Sequence, residues 1–329
     1  MSICLRRREV IAALGGAAAW PLGAGAQPSP KIAHLGFLGV TTPSAVEKTL
    51  ARFRLGLRDR GYIEGQNIFI DFRWAEGNYA RLSEYAAELI RLRSDILLTY
   101  GTPGTLAAKK STTTVPIVML VSGDAVATGV IASLARPGGN VTGSTFFDPE
   151  LHVKQLELIK KVIPTVKRVA VLTNPGNPVD AAILTAMGRT AEALKLEMQP
   201  FEVQQADQLR NVVANVADVG IAAVVATGDA LLRSNAARLS ELMIEHRLPL
   251  VGDVDFANAG ALLGYGVNLG DLWYRGAYFV DEILKGTKPA NLPVEQPTRF
   301  VLVINLNTAR ALGISFPLEL LALADEVIE

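Results

Sequence analysis

From residue 32 onward, short apolar runs alternate with amphipathic segments, and that alternation leaves few folds open to the chain. Residues 32–40 are apolar and almost uninterrupted, as in a parallel strand covered on both faces. Thr41-Thr42-Pro43-Ser44 is a polar loop suited to capping a helix, and Val46, Leu50, Phe53 and Leu57 then mark one helical face. The scheme recurs with strands predicted at 68–74, 96–100 and 115–121 and helices near 79–92 and after Gly101-Thr102-Pro103-Gly104. It restarts after residue 150, with strands predicted at 168–173, 198–203, 222–227, 248–252, 261–265 and 300–304. Helices are expected at 151–163, 181–194, 208–216, 231–246, 272–285 and 307–312. Strands and helices of these lengths in alternation predict an α/β chain with doubly wound parallel sheets.

The two halves meet at Arg136-Pro137-Gly138-Gly139-Asn140-Val141-Thr142-Gly143-Ser144-Thr145-Phe146-Phe147. Pro137, Gly138 and Gly139 interrupt what precedes them, and the following residues read as an extended passage, as expected of a hinge. Gly266-Val267-Asn268 and Lys288-Pro289-Ala290-Asn291-Leu292-Pro293 are two further candidate crossings. The expected organisation is a first lobe of 32–143 with 268–297 and a second of 144–267 with 298–329. Right-handed crossovers put the loops after the strands on one edge, where open α/β sheets bind ligands. Two such edges facing each other form a cleft, with Thr41, Thr42, Ser44, Gly101, Thr102 and Asp124 on one side. Asn174, Asp229 and Asp253 come from the other. Small hydroxyl, amide and carboxylate groups near helix starts suit a small polar or carboxylate-bearing solute.

Zero formal net charge gives no electrostatic footprint for nucleic acid or an anionic membrane. Three histidines, His34, His152 and His246, lie far apart without metal-ligand spacing, and neither metal nor cofactor is expected. Gly101-Thr102-Pro103-Gly104 with Lys109-Lys110-Ser111 lacks the glycine that a phosphate loop needs before its lysine. No G-x-S-x-G elbow is present, and Asp124, Asp229 and Asp253 read better as helix caps or ammonium ligands than as an acid–base set. Trp74, Tyr100 and Tyr265 each suit either lobe core or ligand stacking.

Arg6-Arg7-Arg8-Glu9-Val10-Ile11, an apolar run over 12–20 and Ala24-Gly25-Ala26-Gln27 have the layout of an export signal cut after Ala26. The paired arginines suggest the twin-arginine route, with an ordinary secretory signal as the alternative. The apolar run is short for a membrane span, so a soluble periplasmic protein is expected. Cys4, the one cysteine, precedes that run and would be lost with the leader, which removes disulfide and thiolate chemistry.

Several stretches resemble, in order, a known family. They are Gly61-Tyr62-Ile63-Glu64-Gly65-Gln66-Asn67, Arg73-Trp74-Ala75-Glu76-Gly77, Arg136 to Gly143, Asn174-Pro175, Leu302-Val303-Ile304-Asn305 and Ala324-Asp325-Glu326-Val327-Ile328-Glu329. The chain is similar in these to the ABC-transporter substrate-binding proteins whose better-known members bind tryptophan or tyrosine. The resemblance implies a type I periplasmic-binding-protein fold and a non-enzymatic, monomeric receptor. It further implies hinge closure on a solute and delivery to an ABC permease in the inner membrane. Two loops depart from the family pattern: Gly123-Asp124-Ala125 stands where Gly-Asp-Pro is common, and Gly252-Asp253-Val254-Asp255-Phe256 is unusually acidic. A ligand-sensing module for a membrane signalling partner, or an exported hydrolase, are the alternative functions.

Overall fold

Strand β1 (Ala33–Gly39) is buried at every position except His34, which places it inside a sheet covered on both faces. The computed structural model describes residues 32–146 and 148–329, so the expected leader and its cleavage site lie outside the described residues. Helix α1 (Glu47–Arg58) buries Leu50, Phe53, Gly56 and Leu57, the face its spacing predicts together with a glycine. β2 (Ile68–Trp74), α2 (Leu82–Arg91), β3 (Ile96–Tyr100), α3 (Thr102–Ser111), β4 (Ile117–Gly123) and β5 (Val141–Phe146) follow. Their sheet has the order β2-β1-β3-β4-β5, and every pairing in it is parallel. Because β5 pairs with β4 as far as Phe146, the chain leaves this sheet after Phe146, past the boundary expected at 144.

The second sheet takes β6 (Arg168–Thr173), β7 (Glu197–Glu202), β8 (Ala223–Ala226), β9 (Leu250–Gly252), β10 (Leu263–Gly266), β11 (Val301–Asn305) and β12 (Glu326–Ile328). Their order is β12-β11-β10-β9-β8-β6-β7. Around it lie α4 (Asp148–Val162), α5 (Asp180–Ala193), α6 (Leu209–Asp218), α7 (Ala230–Ser234), α8 (Ala236–Glu245), α9 (Val254–Asn258), α11 (Leu306–Leu312) and α12 (Leu318–Leu323). Successive residues of β6 point to opposite faces: Val169 and Val171 join one apolar cluster, Ala170 and Leu172 the other. Both sheets are parallel except where β10 meets β11, which run antiparallel with Gly266 opposite Val301. The chain leaves β10 for the first lobe, forms α10 (Leu269–Leu284) against α1, and returns at the same end of the sheet. A strand that re-enters where its neighbour left can only run the other way.

Three further differences from the sequence reading have local causes. The helix expected over 231–246 is interrupted at Asn235, whose Nδ2 donates to the Leu231 carbonyl, leaving α7 and α8. A short α9 starts behind Asp253, whose side chain caps it. Helix α12 and β12 were not expected as elements, because a six-residue helix and a three-residue edge strand are too short to show a period.

The crossings are tied to one another. Thr145 N donates to the Glu295 carbonyl (2.9 Å) and Glu295 N to the Gly143 carbonyl (3.0 Å). Arg275 on α10 holds the Glu295 carboxylate through both Nε (2.8 Å) and Nη2 (2.7 Å). Gly143 has φ +129°, and a Cβ there would lie 2.1 Å from the Met119 carbonyl oxygen, so glycine is required where β5 approaches β4.

Candidate functional site

The strand-end loops of the two sheets enclose a cavity of about 70 Å³, several times the room a single water needs. Its apolar wall comes mainly from the first lobe: Val46, Tyr100, Val121, Phe146, Leu269 and Trp273. Trp273 belongs to an aromatic group with Phe37 and Tyr100, at centroid separations of 5.9 and 5.2 Å. That packing fixes the indole, yet its buried Nε1–H has no hydrogen-bond partner. Such a donor is costly to leave unmade.

The polar lining is built on the same edge. Thr41 N donates to the Tyr100 hydroxyl (2.8 Å), and the Thr41 and Tyr100 hydroxyls share a second bond of 2.7 Å. This pairing orients the Tyr100 ring, and burial raises the pKa of its phenol above the usual value. Gly101 precedes α3 with φ +69°, so no side chain caps that helix where it meets the cavity. An uncapped helix start beside a buried hydroxyl, here Thr102, favours a carboxylate.

The second lobe contributes Asn177, Gly228, Ala230, Arg233, Ser234 and Asp255. Gly228 is held from behind by His152, whose Nε2 accepts its N–H (3.3 Å). With Nε2 accepting, Nδ1 carries the proton and donates to Gln155 Oε1 (2.8 Å). Gln155 Nε2 in turn donates to the carbonyls of Gly252 and Tyr265. His152 therefore positions a cavity loop from a buried site.

Arg233 is the cation of the cavity and is already engaged. Its Nε donates to Asp253 Oδ2 at 2.7 Å and lies 3.7 Å from Asp255 Oδ2. Burial, then the neighbouring charge of Asp253, pushes the Asp255 carboxyl up to about 6, while Arg233 and Lys48 oppose that rise.

The nine residues singled out in the sequence divide cleanly. Thr41, Gly101 and Thr102 line the cavity. Thr42 and Ser44 are exposed and bond each other at 3.1 Å. Asp124 accepts from Val126 N and Ala127 N, the capping role rather than a cleft-facing one. Asn174 Nδ2 donates to Asp229 Oδ1 (3.1 Å), and its Oδ1 accepts from Gly176 N. Asp229 also accepts from Leu231 N, Asn177 Nδ2 and Tyr79 Oη, the last at 2.8 Å across the two lobes. Asp253 caps α9 and fixes Arg233. These short polar side chains find backbone N–H groups two or three residues away, so they support the wall instead of forming it. Trp74 stacks on Phe72 within the first lobe, Tyr265 stacks on Phe300, and His34 lies at an exposed face near Asp71. Arg233 and Trp273 went unselected because no local motif distinguishes them, whereas Phe146 and Asp255 stand in the hinge stretch and the acidic loop already noted without having been chosen as site residues.

Among the described residues, no group of three or more histidine, cysteine or acidic side chains could hold a metal ion. None of the described helices is long and apolar enough to cross a membrane.

The comparisons with known proteins agree with this fold. The tyrosine-binding protein of Clostridioides difficile (strain R20291) is 26% identical over 287 residues, covering 86% of this chain and 82% of that protein. A conserved domain protein from Vibrio cholerae O1 biovar El Tor has a solved structure that superposes with a TM-score of 0.84 at 26% identity. It covers 90% of this chain and 100% of that one. The ABC domain from Streptococcus pneumonia in complex with L-Trp gives 0.82 at 24% identity, covering 90% and 99%. Both share the type I periplasmic-binding-protein architecture of two α/β lobes. Residues 39–328 match the family described as ABC transporter substrate binding protein, a family of solute-binding proteins rather than enzymes, and the chain belongs to it.

Proposed function

We propose that this protein is an extracytoplasmic receptor that closes on a small solute with an apolar body and a carboxylate, and delivers it to an ABC import permease. An amino acid or an aromatic acid has that chemistry. One observation carries the reading: a cavity with an aromatic, hydroxyl-bearing wall from one lobe and a charged wall from the other. Contacts to both walls exist only when the lobes are together, so a ligand draws the population toward the closed state. Thr41, Gly101 and Thr102 with Trp273 hold the solute from the first lobe, and Arg233, Ser234 and Asn177 from the second. Thr42, Ser44, Asp124, Asn174, Asp229 and Asp253 shape the loops behind them. The hinge is the trio of crossings, and the lobes are those expected from the sequence with the first crossing moved past Phe146. The tryptophan- and tyrosine-binding relatives support an aromatic amino acid as the first candidate. The leader supports export to the periplasm with cleavage after Ala26, and a receptor of this design works as a monomer. Small-angle scattering of the mature protein tests closure. Compaction on addition of L-tryptophan or L-tyrosine is expected, and an unchanged profile with a broad amino-acid and organic-acid panel overturns the reading.

A further inference from the structure

Beside the crossings lies a groove of about 440 Å³ that shares no lining residue with the solute cavity. All three crossings reach it, through Ser144, Asn268 and Glu295. Helix α10 gives Leu269 and Trp273 to the cavity but Asp271 and Leu272 to the groove, so the two spaces lie along different faces of one helix. The groove is acidic. Asp271 lines it from the first lobe, and Asp325 and Glu326 line it from the second, at the start of β12. Arg275 already neutralises the Glu295 carboxylate. Asp325 accepts from Leu302 N and Arg299 Nη2, each at 2.9 Å, and these donors, the backbone one first, hold its carboxyl below the usual range. Asp271 pairs with Arg52 at 3.2 Å, and both side chains of that pair are exposed, as is Arg299. Ion pairs so exposed are weak and exchange readily for another cation. Glu326 is exposed and makes no ion pair among the described residues. A second observation points to an occupant. Ser144 lines the groove and is fully buried, and its Oγ has no hydrogen-bond partner. A buried hydroxyl left unmade is costly, and an ammonium N–H entering the groove supplies the missing donor.

The form of the cation follows from the spacing of these groups. Among the described residues, no three acidic side chains stand close enough to hold one metal ion. An extended cation with a charge at each end suits carboxylates that stand apart on two lobes. A zwitterion would bring its own carboxylate into this acidic field. Resting on the solute-binding reading, we infer that the hinge groove binds a linear aliphatic diamine, whose ammonium groups bridge Asp271 on one lobe and Glu326 on the other beside Ser144 and so hold the receptor closed. An occupant tied to both lobes next to the crossings is sensitive to the angle between them. The groove has this shape in the arrangement that also encloses the solute cavity, so filling it favours that arrangement. By linkage, diamine and solute then raise each other's affinity by the same factor.

Calorimetric titration and small-angle scattering with putrescine test this, with n-butylamine and magnesium ion as controls at matched ionic strength. Putrescine should bind at a single site at least about tenfold more tightly than butylamine, because its second ammonium binds intramolecularly. It should compact the protein with no solute present, whereas neither control should. Glu326→Gln and Asp271→Asn should each weaken putrescine about threefold or more, and Ser144→Ala should do the same through the lost hydrogen bond. With putrescine at saturation, L-tryptophan or L-tyrosine should bind the wild-type protein about threefold more tightly or better. Glu326→Gln should lose that gain at the same putrescine concentration while binding the solute normally without putrescine. Equal binding of butylamine or magnesium, or undiminished affinity in all three variants, would reveal charge screening and overturn the assignment. Putrescine-driven compaction with no amino or organic acid bound would leave the groove assignment standing and remove the solute reading. Solute-driven closure with no putrescine bound would do the reverse.

Discussion

Asp229 accepts four hydrogen bonds while almost fully buried, and one of them comes from Tyr79 in the opposite lobe. Burial first, then the charge of Asp229, pushes the Tyr79 phenol well above its ordinary pKa, so the donor stays protonated through the physiological range. Tyr79→Phe removes this interlobe bond and the hydroxyl's contact with the Leu231 backbone, while Asp229 keeps three donors. Loss of one bond to a charged acceptor, worth about 1.5–3 kcal/mol, opens the lobes and should weaken ligand binding about tenfold or more by calorimetry. Asp255 makes a second prediction at this scale. Its raised pKa means that the folded state binds more protons than the unfolded chain between about pH 4 and 6. Stability contributed at this residue therefore falls as pH rises through that window, and ionised Asp255 is unfavourable above it. Asp255→Asn should raise the melting temperature of the ligand-free protein at pH 8 and leave it unchanged at pH 4, as read by calorimetric melting. The same residues show what was legible. Asp124, Asp229 and Asp253 follow strands and reach N–H groups two residues on, a local habit visible in sequence. Arg233 and Trp273 were illegible because their neighbours, Asp253 and Phe37, come from distant parts of the chain.

At the scale of elements, most strands and helices lie where the apolar periodicity put them, and β2, β3 and β6 match residue for residue. Where the reading failed, the deciding interaction was a single side chain or an edge pairing. Asn235 breaks one helix, and β12 exists because Glu326 to Ile328 find the edge of β11. The contact between α1 and α10 is another long-range decision. Gly56 lets the two helices approach so closely that a Cβ would lie 2.5 Å from the Tyr274 carbonyl oxygen and 2.9 Å from Ala277 Cβ. Helix propensity alone favours alanine at such a site, by about 1 kcal/mol. Overpacking against backbone reverses that sign, so Gly56→Ala should destabilise the protein by about 1–3 kcal/mol, measured by its urea midpoint. Moving α10 also moves Trp273, so the same variant should bind solute more weakly.

For the whole molecule, the proposed function requires two lobes that can part without unfolding. The crossings are few, and they are braced by Glu295, which touches the first crossing through its backbone and α10 through Arg275. A ligand held only in the closed form stabilises the whole chain by mass action. At a hundredfold excess over Kd, a bound solute should add about 2.7 kcal/mol, and the melting temperature should keep rising with the logarithm of concentration. A melting temperature that ceases to rise while the solute is far above its Kd would show binding to the unfolded chain as well. The sequence by itself determined the α/β alternation, the parallel sheets, the edge at which the cavity lies and the family, because strand burial and helix periodicity are written in local patterns of residues. The tertiary structure alone decided which side chains wall the cavity. A side chain's direction there depends on partners brought from other elements, such as Asp253 for Arg233 and the aromatic core for Trp273. The antiparallel entry of β11 was settled at that level too, by where the chain returned to the hinge.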